Sequence, residues 1–257
     1  MITARIAAIF LLTVWTASIW AADVELKVGD KVSRELRLGP DSDSSVVPLP
    51  AGEWLVLRVA DAEARRTNPV GQHRTEEMVT IILMQRDASD IVMHLRIHAT
   101  VGRGSRITQW VDKPCERTNT LYRNPYDSNT SEVRCLMVNH IVGYLRSSSS
   151  TTNSELRKWV VDEHLNLQST ALESAFTMFR PRYHLRVQVW VNPALRKLDS
   201  EERTWASNPF HRDWIAKDPA RQAYAKEFIA WAEGYAAVLS RVYDGSAAGA
   251  VQVPAFR

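Results

Sequence analysis

Two segments of the chain carry apolar side chains at every second position, and they constrain the fold more than any other feature. In residues 91–100 every second side chain is apolar, and residues 184–191 repeat the pattern. A period of two over this length predicts β-strands that bury one face and leave the other in water. The polar positions, such as His94 and His98, are therefore expected on a solvated sheet surface.

Further strands are predicted where apolar or β-branched runs are bounded by turns, at residues 54–59, 78–85, 136–145 and 175–179. The polar residues 60–77 are expected to form a long loop. Strands and helices do not alternate regularly, as they would around a parallel sheet. The sequence therefore predicts an α+β fold: a twisted, mostly antiparallel sheet covered on one face by helices, with a long C-terminal helix.

The C-terminal helix has clear start and stop signals. Asp218 is a strong N-cap, Pro219 suits the first helical position, and Gly245 follows the last turn. One face of this helix carries a seam that we expect to cover the sheet: Tyr224, Phe228, Trp231, Tyr235, Val238 and Val242. The alternative is a surface for a partner.

A shorter helix is predicted after a connector rich in serine and threonine, residues 147–154. The connector ends in a capping box, in which Thr152 is followed three residues later by Glu155. After the long helix, residues 246–257 show no periodicity and are expected to form a flexible tail.

Residues 1–22 are typical of an export signal. Arg5 supplies a positive charge, an apolar stretch follows, and small residues precede the polar Asp23. The apolar stretch is shorter than the roughly 20 residues of a membrane-spanning helix. The residues before the expected cleavage site are larger than is preferred there, so an uncleaved anchor is the alternative. After cleavage we expect a single α+β domain over residues 23–245, in the periplasm or secreted.

The chain has two cysteines, Cys115 and Cys135. An even number in an exported chain favours a disulfide, because the compartment is oxidising. The segment between them is polar and rich in turn residues, so a cross-link would hold it where burial cannot. A loop of this size corresponds to about 3 kcal/mol in the chain-entropy model. A redox-active pair is the alternative, although such pairs usually have the C-x-x-C spacing.

Composition and motifs exclude several classes of protein. With 45% hydrophobic and 24% charged residues, the chain is neither disordered nor a polytopic membrane protein. Its net charge of +3 does not predict nucleic-acid binding. Motifs for nucleotide binding, serine hydrolysis and zinc peptidases do not occur. His94 and His98 would lie about 13 Å apart along a strand, too far to share one metal ion. We expect no metal and no cofactor.

An aromatic cluster supplies the candidate ligand-binding residues: Trp205, Phe210, His211 and Trp214. Aromatic rings interleaved with cations can stack on a sugar or another planar ligand. The same rings could instead fix a short helix against the sheet. His140 is the best single histidine for acid–base chemistry, and a hydrogen-bonded core histidine is the alternative.

Short polar motifs recur through the later part of the chain: Cys115-Glu116-Arg117, Cys135 with Val138-Asn139-His140, Asn192-Pro193, His211, Asp213-Trp214-Ile215 and Asp218-Pro219-Ala220-Arg221. In these motifs and their spacing the chain resembles a group of uncharacterised exported proteins of Gram-negative bacteria. The resemblance implies export and one continuous fold. It implies no activity, because none is known for the group.

Three hypotheses for the function follow. The first is a non-catalytic, monomeric envelope protein that binds a small ligand or an envelope protein through loops and aromatic side chains. The second is a periplasmic hydrolase or isomerase that uses His140 or His211 with a nearby carboxylate. The third keeps residues 1–22 as an anchor and makes the chain a membrane-tethered assembly factor.

Overall fold

The computed structural model describes residues 26–38, 45–67, 73–100, 114–128, 132–143, 151–166, 168–181, 183–200, 204–246 and 252–256. The strands in these residues are β1 (Lys31–Val32), β2 (Glu35–Leu38), β3 (Ser45–Pro48), β4 (Trp54–Thr67), β5 (His73–Asp87), β6 (Asp90–Thr100), β7 (Tyr122–Ser128), β8 (Val133–Val142), β9 (Thr170–Arg180) and β10 (Tyr183–Val191). The α-helices are α1 (Thr151–Asp162) and α2 (Pro219–Tyr243).

Eight of these strands form one antiparallel sheet in the order β1-β4-β5-β6-β10-β9-β8-β7, while β2 pairs with β3 separately. The sheet consists of two runs of consecutive strands, β4 to β6 and β7 to β10, which join where β6 pairs with β10. The two alternating segments of the sequence therefore lie side by side, with Leu95 opposite Val189. The predicted α+β fold, with a mostly antiparallel sheet and a long C-terminal helix, is confirmed.

α2 covers one face of the sheet, which we call the helix face. It begins at Pro219, where Asp218 caps it by accepting a hydrogen bond from the backbone N–H of Arg221 at 3.1 Å. Four residues of its seam are buried in one hydrophobic cluster with the apolar side chains of β6 and β10. These α2 residues are Tyr224, Phe228, Tyr235 and Val238. Trp231 is half-buried against this cluster. The prediction that the seam belongs to the core is confirmed for these four residues, while Trp231 and Val242 are half-buried.

α1 packs against the opposite face of the sheet. Leu156 and Val160 form a separate cluster with Ile82 and Trp190. These sheet residues alternate along their strands with those that contact α2, so the two helices lie on opposite faces. The expectation that helices cover one face holds for α2 alone. The periodicity of a helix shows that it buries a face, but not which side of the sheet it reaches.

Two predicted boundaries change. The connector predicted over residues 147–154 overlaps α1, which begins at Thr151, and residues 147–150 lie outside the described residues. The tail predicted as flexible over residues 246–257 packs on the core in its described part, where Val253 and Phe256 are both buried. Apolar side chains without any periodicity gain enough from burial to fill a gap beside α2.

The polar residues expected to form a long loop instead extend two strands. β4 continues to Thr67 and β5 begins at His73, so the two strands pair beyond the body of the sheet. The segment between the cysteines likewise contributes β7, at the edge of the sheet. An edge strand tolerates Pro125, and the pairing shifts register just after it.

Cys115 and Cys135 form a disulfide, with their Cα atoms 5.7 Å apart, as predicted. It joins the turn before β7 to the beginning of β8. Residues 1–22, the predicted signal, lie outside the described residues. In the part of the chain that is described, no helix is both long enough and apolar enough to cross a membrane.

Candidate ligand-binding site

The sheet face opposite α2 carries the polar side chains of the alternating strands, and we call it the polar face. Much of it is buried, since His94 is 1% exposed, His184 4% and Gln188 8%. The prediction of a solvated surface is therefore wrong for these residues. Alternation shows that the two faces of a strand differ in polarity, but it does not show whether the polar one is covered.

A small side chain near the centre of the polar face leaves room for a cavity. Ala175 of β9 pairs with Gln188 of β10 on one side and with Met137 of β8 on the other. Alanine has no atom beyond Cβ, so the space above it stays open. The cavity has a volume of about 340 Å³, and the residues that line it are Arg117, Asn119, Thr120, Met137, Asn139, His140, Ile141, Glu173, Ala175, Arg186 and Trp205.

The cavity lies beside the part of β8 that β7 does not reach. The pairing of these two strands ends at Val138, so the next residues of β8 are at the edge of the sheet. The segment that follows Cys115 closes over this edge. Asn139 Nδ2 donates a hydrogen bond to the backbone oxygen of Asn119 at 3.2 Å, and the Leu121 N–H donates to the backbone oxygen of Val138 at 3.0 Å.

The disulfide helps to place one charged side chain at this site. Cys135 lies on β8, and its bond to Cys115 holds the turn that follows Cys115 against the sheet. Arg117, two residues further along the turn, is exposed and lines the cavity. The disulfide thus fixes an arginine at the mouth of the cavity, a consequence that was not predicted from the sequence.

Glu173 is the carboxylate of the cavity. Gln188 Nε2 donates a hydrogen bond to Glu173 Oε1 at 2.5 Å. Burial raises the pKa of Glu173, and this effect exceeds the opposing effects of the bond from Gln188 and of three positive charges: Arg186, Arg96 and Arg117. The carboxylate thus has several cations nearby, but together they do not fully offset the cost of its burial.

Arg186 reaches the cavity from the middle of β10. Burial lowers the pKa of its guanidinium, and the charge of Glu173 opposes this change. The Nε–H of Arg186 is buried without a hydrogen-bond partner among the described residues, and so is the hydroxyl of Thr177, its neighbour on β9. A buried donor without a partner costs about 1–3 kcal/mol. The polar face therefore has hydrogen-bonding capacity that the described part of the protein does not use.

Three rings from distant parts of the chain meet at the edge of β8. His140 stacks on Trp205 with ring centroids 5.0 Å apart, and His211 meets Trp205 edge-on at 4.4 Å. His140 Nε2 lies 2.9 Å from the backbone oxygen of Trp205, to which it donates. Burial lowers the pKa of His140, and this effect exceeds the opposing effect of the hydrogen bond to the Trp205 carbonyl; His211 adds a smaller decrease. The imidazole of His140 is therefore neutral near pH 7.

The structure separates the four predicted ligand-binding residues. Trp205 lines the cavity, and His211 is buried against it. Phe210 is fully buried on the helix face, where its ring meets Tyr224. Trp214 is 43% exposed, and its indole N–H donates to a backbone carbonyl rather than facing the cavity.

Neither candidate histidine is paired with a carboxylate inside the cavity. His211 Nδ1 accepts a hydrogen bond from the backbone N–H of Asp213 at 3.3 Å and lies 3.5 Å from the carboxylate of Asp213, which is exposed and does not line the cavity. His140 donates to a backbone carbonyl. Among the described residues, no group of three or more histidine, cysteine, aspartate or glutamate side chains is arranged to hold a metal ion.

The sequence analysis missed most of the charged residues of the cavity. The signal for Glu173 was present, because it is the only charged residue of β9 before Arg180, and the other residues up to that point are apolar or small. Arg186 stands at a polar position of an alternating strand, where a solvated side chain was expected. Arg117 belongs to a turn, and only the fold shows that this turn covers the edge of β8.

Comparison with known proteins found no matching family model, curated protein or solved structure. The resemblance to exported proteins of Gram-negative bacteria accordingly stays a prediction.

Proposed function

We propose that this chain is a non-catalytic binding protein of the bacterial envelope, periplasmic or secreted, and that it binds a small ligand in the cavity beside β8. The observation that carries the proposal is the cavity itself, which combines a buried carboxylate, two arginines and an aromatic ring in about 340 Å³. Small-molecule sites have volumes of about 300–1,000 Å³ and a few convergent polar groups within an apolar lining.

Binding is favoured over hydrolysis or isomerisation by the partners of the two histidines. His140 lines the cavity and donates to a backbone carbonyl, whereas His211, which lies 3.5 Å from the exposed carboxylate of Asp213, does not line the cavity. A histidine that acts as a general base must lie within hydrogen-bond reach of the proton that it abstracts from the substrate. Export is supported by the signal-like residues 1–22 and by the disulfide, which is typical of oxidising compartments. If residues 1–22 are retained, the same cavity would belong to a membrane-tethered protein.

The test is native mass spectrometry of protein purified from the periplasm without denaturation. We expect a mass that lacks residues 1–22 and an additional small molecule retained by the wild type. Ala175→Leu should lose this molecule, because the larger side chain fills the cavity above β9. Ala175→Ser, which keeps nearly the original volume, is the matched control and should retain it.

Two results would contradict the proposal. Equal retention by wild type and Ala175→Leu would place the ligand outside the cavity. If the wild type retains nothing, and no compound of a small-molecule library shifts its melting temperature, the cavity does not serve binding.

A further inference from the structure

The lining of the cavity also points to the class of ligand. We propose that the ligand is a small organic monocarboxylate, whose carboxylate binds between Arg117 at the mouth and Arg186 inside. This inference rests on the proposed binding function and names the chemistry that the cavity selects.

The first argument is charge balance. Two cations, Arg117 and Arg186, line the cavity together with one carboxylate, that of Glu173. The described lining therefore has an excess of one positive charge. Arg186 is partly shielded from water, where a charge is tolerated when it is paired, whereas Arg117 is exposed; a ligand with a single negative charge therefore completes the site by pairing with Arg186 inside and Arg117 at the mouth. A dianion would exceed this balance, and a cation would add to the unpaired charge.

The second argument is the unused donor of Arg186. A guanidinium presents its N–H groups in a planar fork that matches the two oxygens of a carboxylate. The buried Nε–H of Arg186 has no hydrogen-bond partner among the described residues. A carboxylate beside it would supply the missing acceptor. Glu173, the carboxylate of the cavity, accepts its hydrogen bond from Gln188. The Nε–H of Arg186 is therefore available to a ligand.

The third argument concerns the remainder of the ligand. Away from the charged groups, the cavity is lined by Met137, Ala175 and the ring of Trp205. These side chains offer apolar contact and one aromatic surface. A volume of about 340 Å³ lies near the lower end of the range for small-molecule sites, so the apolar part of the ligand is small.

The side-chain amide of Asn139, which also lines the cavity, is used within the protein. Asn139 donates to the backbone of Asn119 and accepts from the backbone N–H of His140 at 2.9 Å. Asn139 therefore positions the turn that carries Arg117. The cations of the described lining are Arg117 and Arg186, and these are the groups that distinguish an acid from its amide.

The experiment compares probes of the same shape and different charge. Benzoate, benzamide and phenyl phosphate share a ring and differ in the group attached to it, and butyrate and butyramide form a smaller pair. Binding to the full mature protein is detected by ligand-observed NMR and quantified by titration calorimetry. We expect a carboxylate of at least one pair to bind about tenfold or more tightly than its amide, and benzoate more tightly than phenyl phosphate.

Variants locate the binding. Arg117→Gln should weaken carboxylate binding about tenfold or more, and because Arg117 is exposed this variant should fold normally. Arg186→Gln tests the inner contact, with circular dichroism to verify the fold. Arg241→Gln, which changes an exposed arginine of α2, is the matched control and should bind like the wild type.

The outcomes separate this inference from the proposed function. Equal binding of an acid and its amide, tighter binding of phenyl phosphate, or an Arg117→Gln variant that binds carboxylates normally would overturn the inference. A neutral ligand retained by the wild type and lost from Ala175→Leu would also overturn it, while leaving the binding function in place. Only the failure of every compound to bind in the cavity would contradict both.

Discussion

Glu173 illustrates how single residues make the polar face possible. An ionised carboxylate inside a sheet is destabilising unless hydrogen bonds and opposite charges compensate it. Gln188 donates to it from the neighbouring strand, and the charges of Arg186 and Arg96 lie close enough to lower its pKa. These groups come from three adjacent strands, so the compensation depends on the register of β6, β10 and β9.

Because of His98, a histidine of the polar face, we expect the stability of the protein to depend on pH. Burial lowers the pKa of His98 from 6.5 to about 4, and the charges of Arg96 and Arg186 contribute to this decrease. Between these values the unfolded chain binds a proton on this imidazole that the folded chain does not. The free energy of unfolding should therefore fall as the pH decreases from about 6.5 to about 4, with a slope of up to about 1.4 kcal/mol per pH unit from this group.

Urea unfolding of wild type and His98→Gln across this pH range checks the prediction. The variant has no imidazole to titrate at this position, so its stability should depend less on pH. His164→Asn removes an exposed imidazole at the end of α1 and should behave like the wild type. A His98→Gln variant with the pH dependence of the wild type would refute the assignment.

At the scale of elements, patterns within one segment were predictable and contacts between segments were not. The alternation of residues 91–100 and 184–191 correctly predicted β6 and β10, and the seam of α2 correctly predicted its buried face. The position of α1 on the other face depends on the path of the chain, which periodicity does not record. The cavity depends on Ala175 lying between Gln188 and Met137, and this requires the register of three strands.

The C-terminal segment provides a prediction at this scale. Phe256 is 5% exposed, and its ring lies 5.4 Å from that of Tyr224 and 5.2 Å from that of Phe228. Phe256→Ala should therefore leave a cavity beside α2 and cost about 3–5 kcal/mol. Gln252→Ala changes an exposed residue of the same segment and should cost little. In urea unfolding, Phe256→Ala should lower the midpoint with the slope nearly unchanged. Equal midpoints for the two variants would show that the segment does not stabilise the core.

At the scale of the whole molecule, one cross-link connects compartment, stability and site. Disulfides such as that between Cys115 and Cys135 are typical of oxidising compartments, and the predicted export of the chain would supply one. The bond closes the polar turn onto β8, where packing contributes little because most of that turn is exposed. The same turn carries Arg117 to the mouth of the cavity. Stability and ligand binding are therefore expected to change together when the bond is removed.

The double variant Cys115→Ser, Cys135→Ser tests this connection. Loss of the cross-link should lower the stability of the folded state by about 3 kcal/mol, seen as a lower melting temperature with an unchanged far-ultraviolet circular dichroism spectrum. The turn would then be held by hydrogen bonds alone, among them those from Leu121 to Val138, from Asn139 to Asn119 and from Arg212 to the backbone oxygen of Thr118. Arg117 would be less restrained, so carboxylate binding should weaken even at temperatures where the variant is fully folded, because the ligand must order the turn. Wild type treated with a reductant should reproduce both effects.

Two readily alkylated thiols in native, air-oxidised wild type would contradict the disulfide. A variant that is less stable but binds the carboxylate normally would show that the position of the turn does not depend on the disulfide.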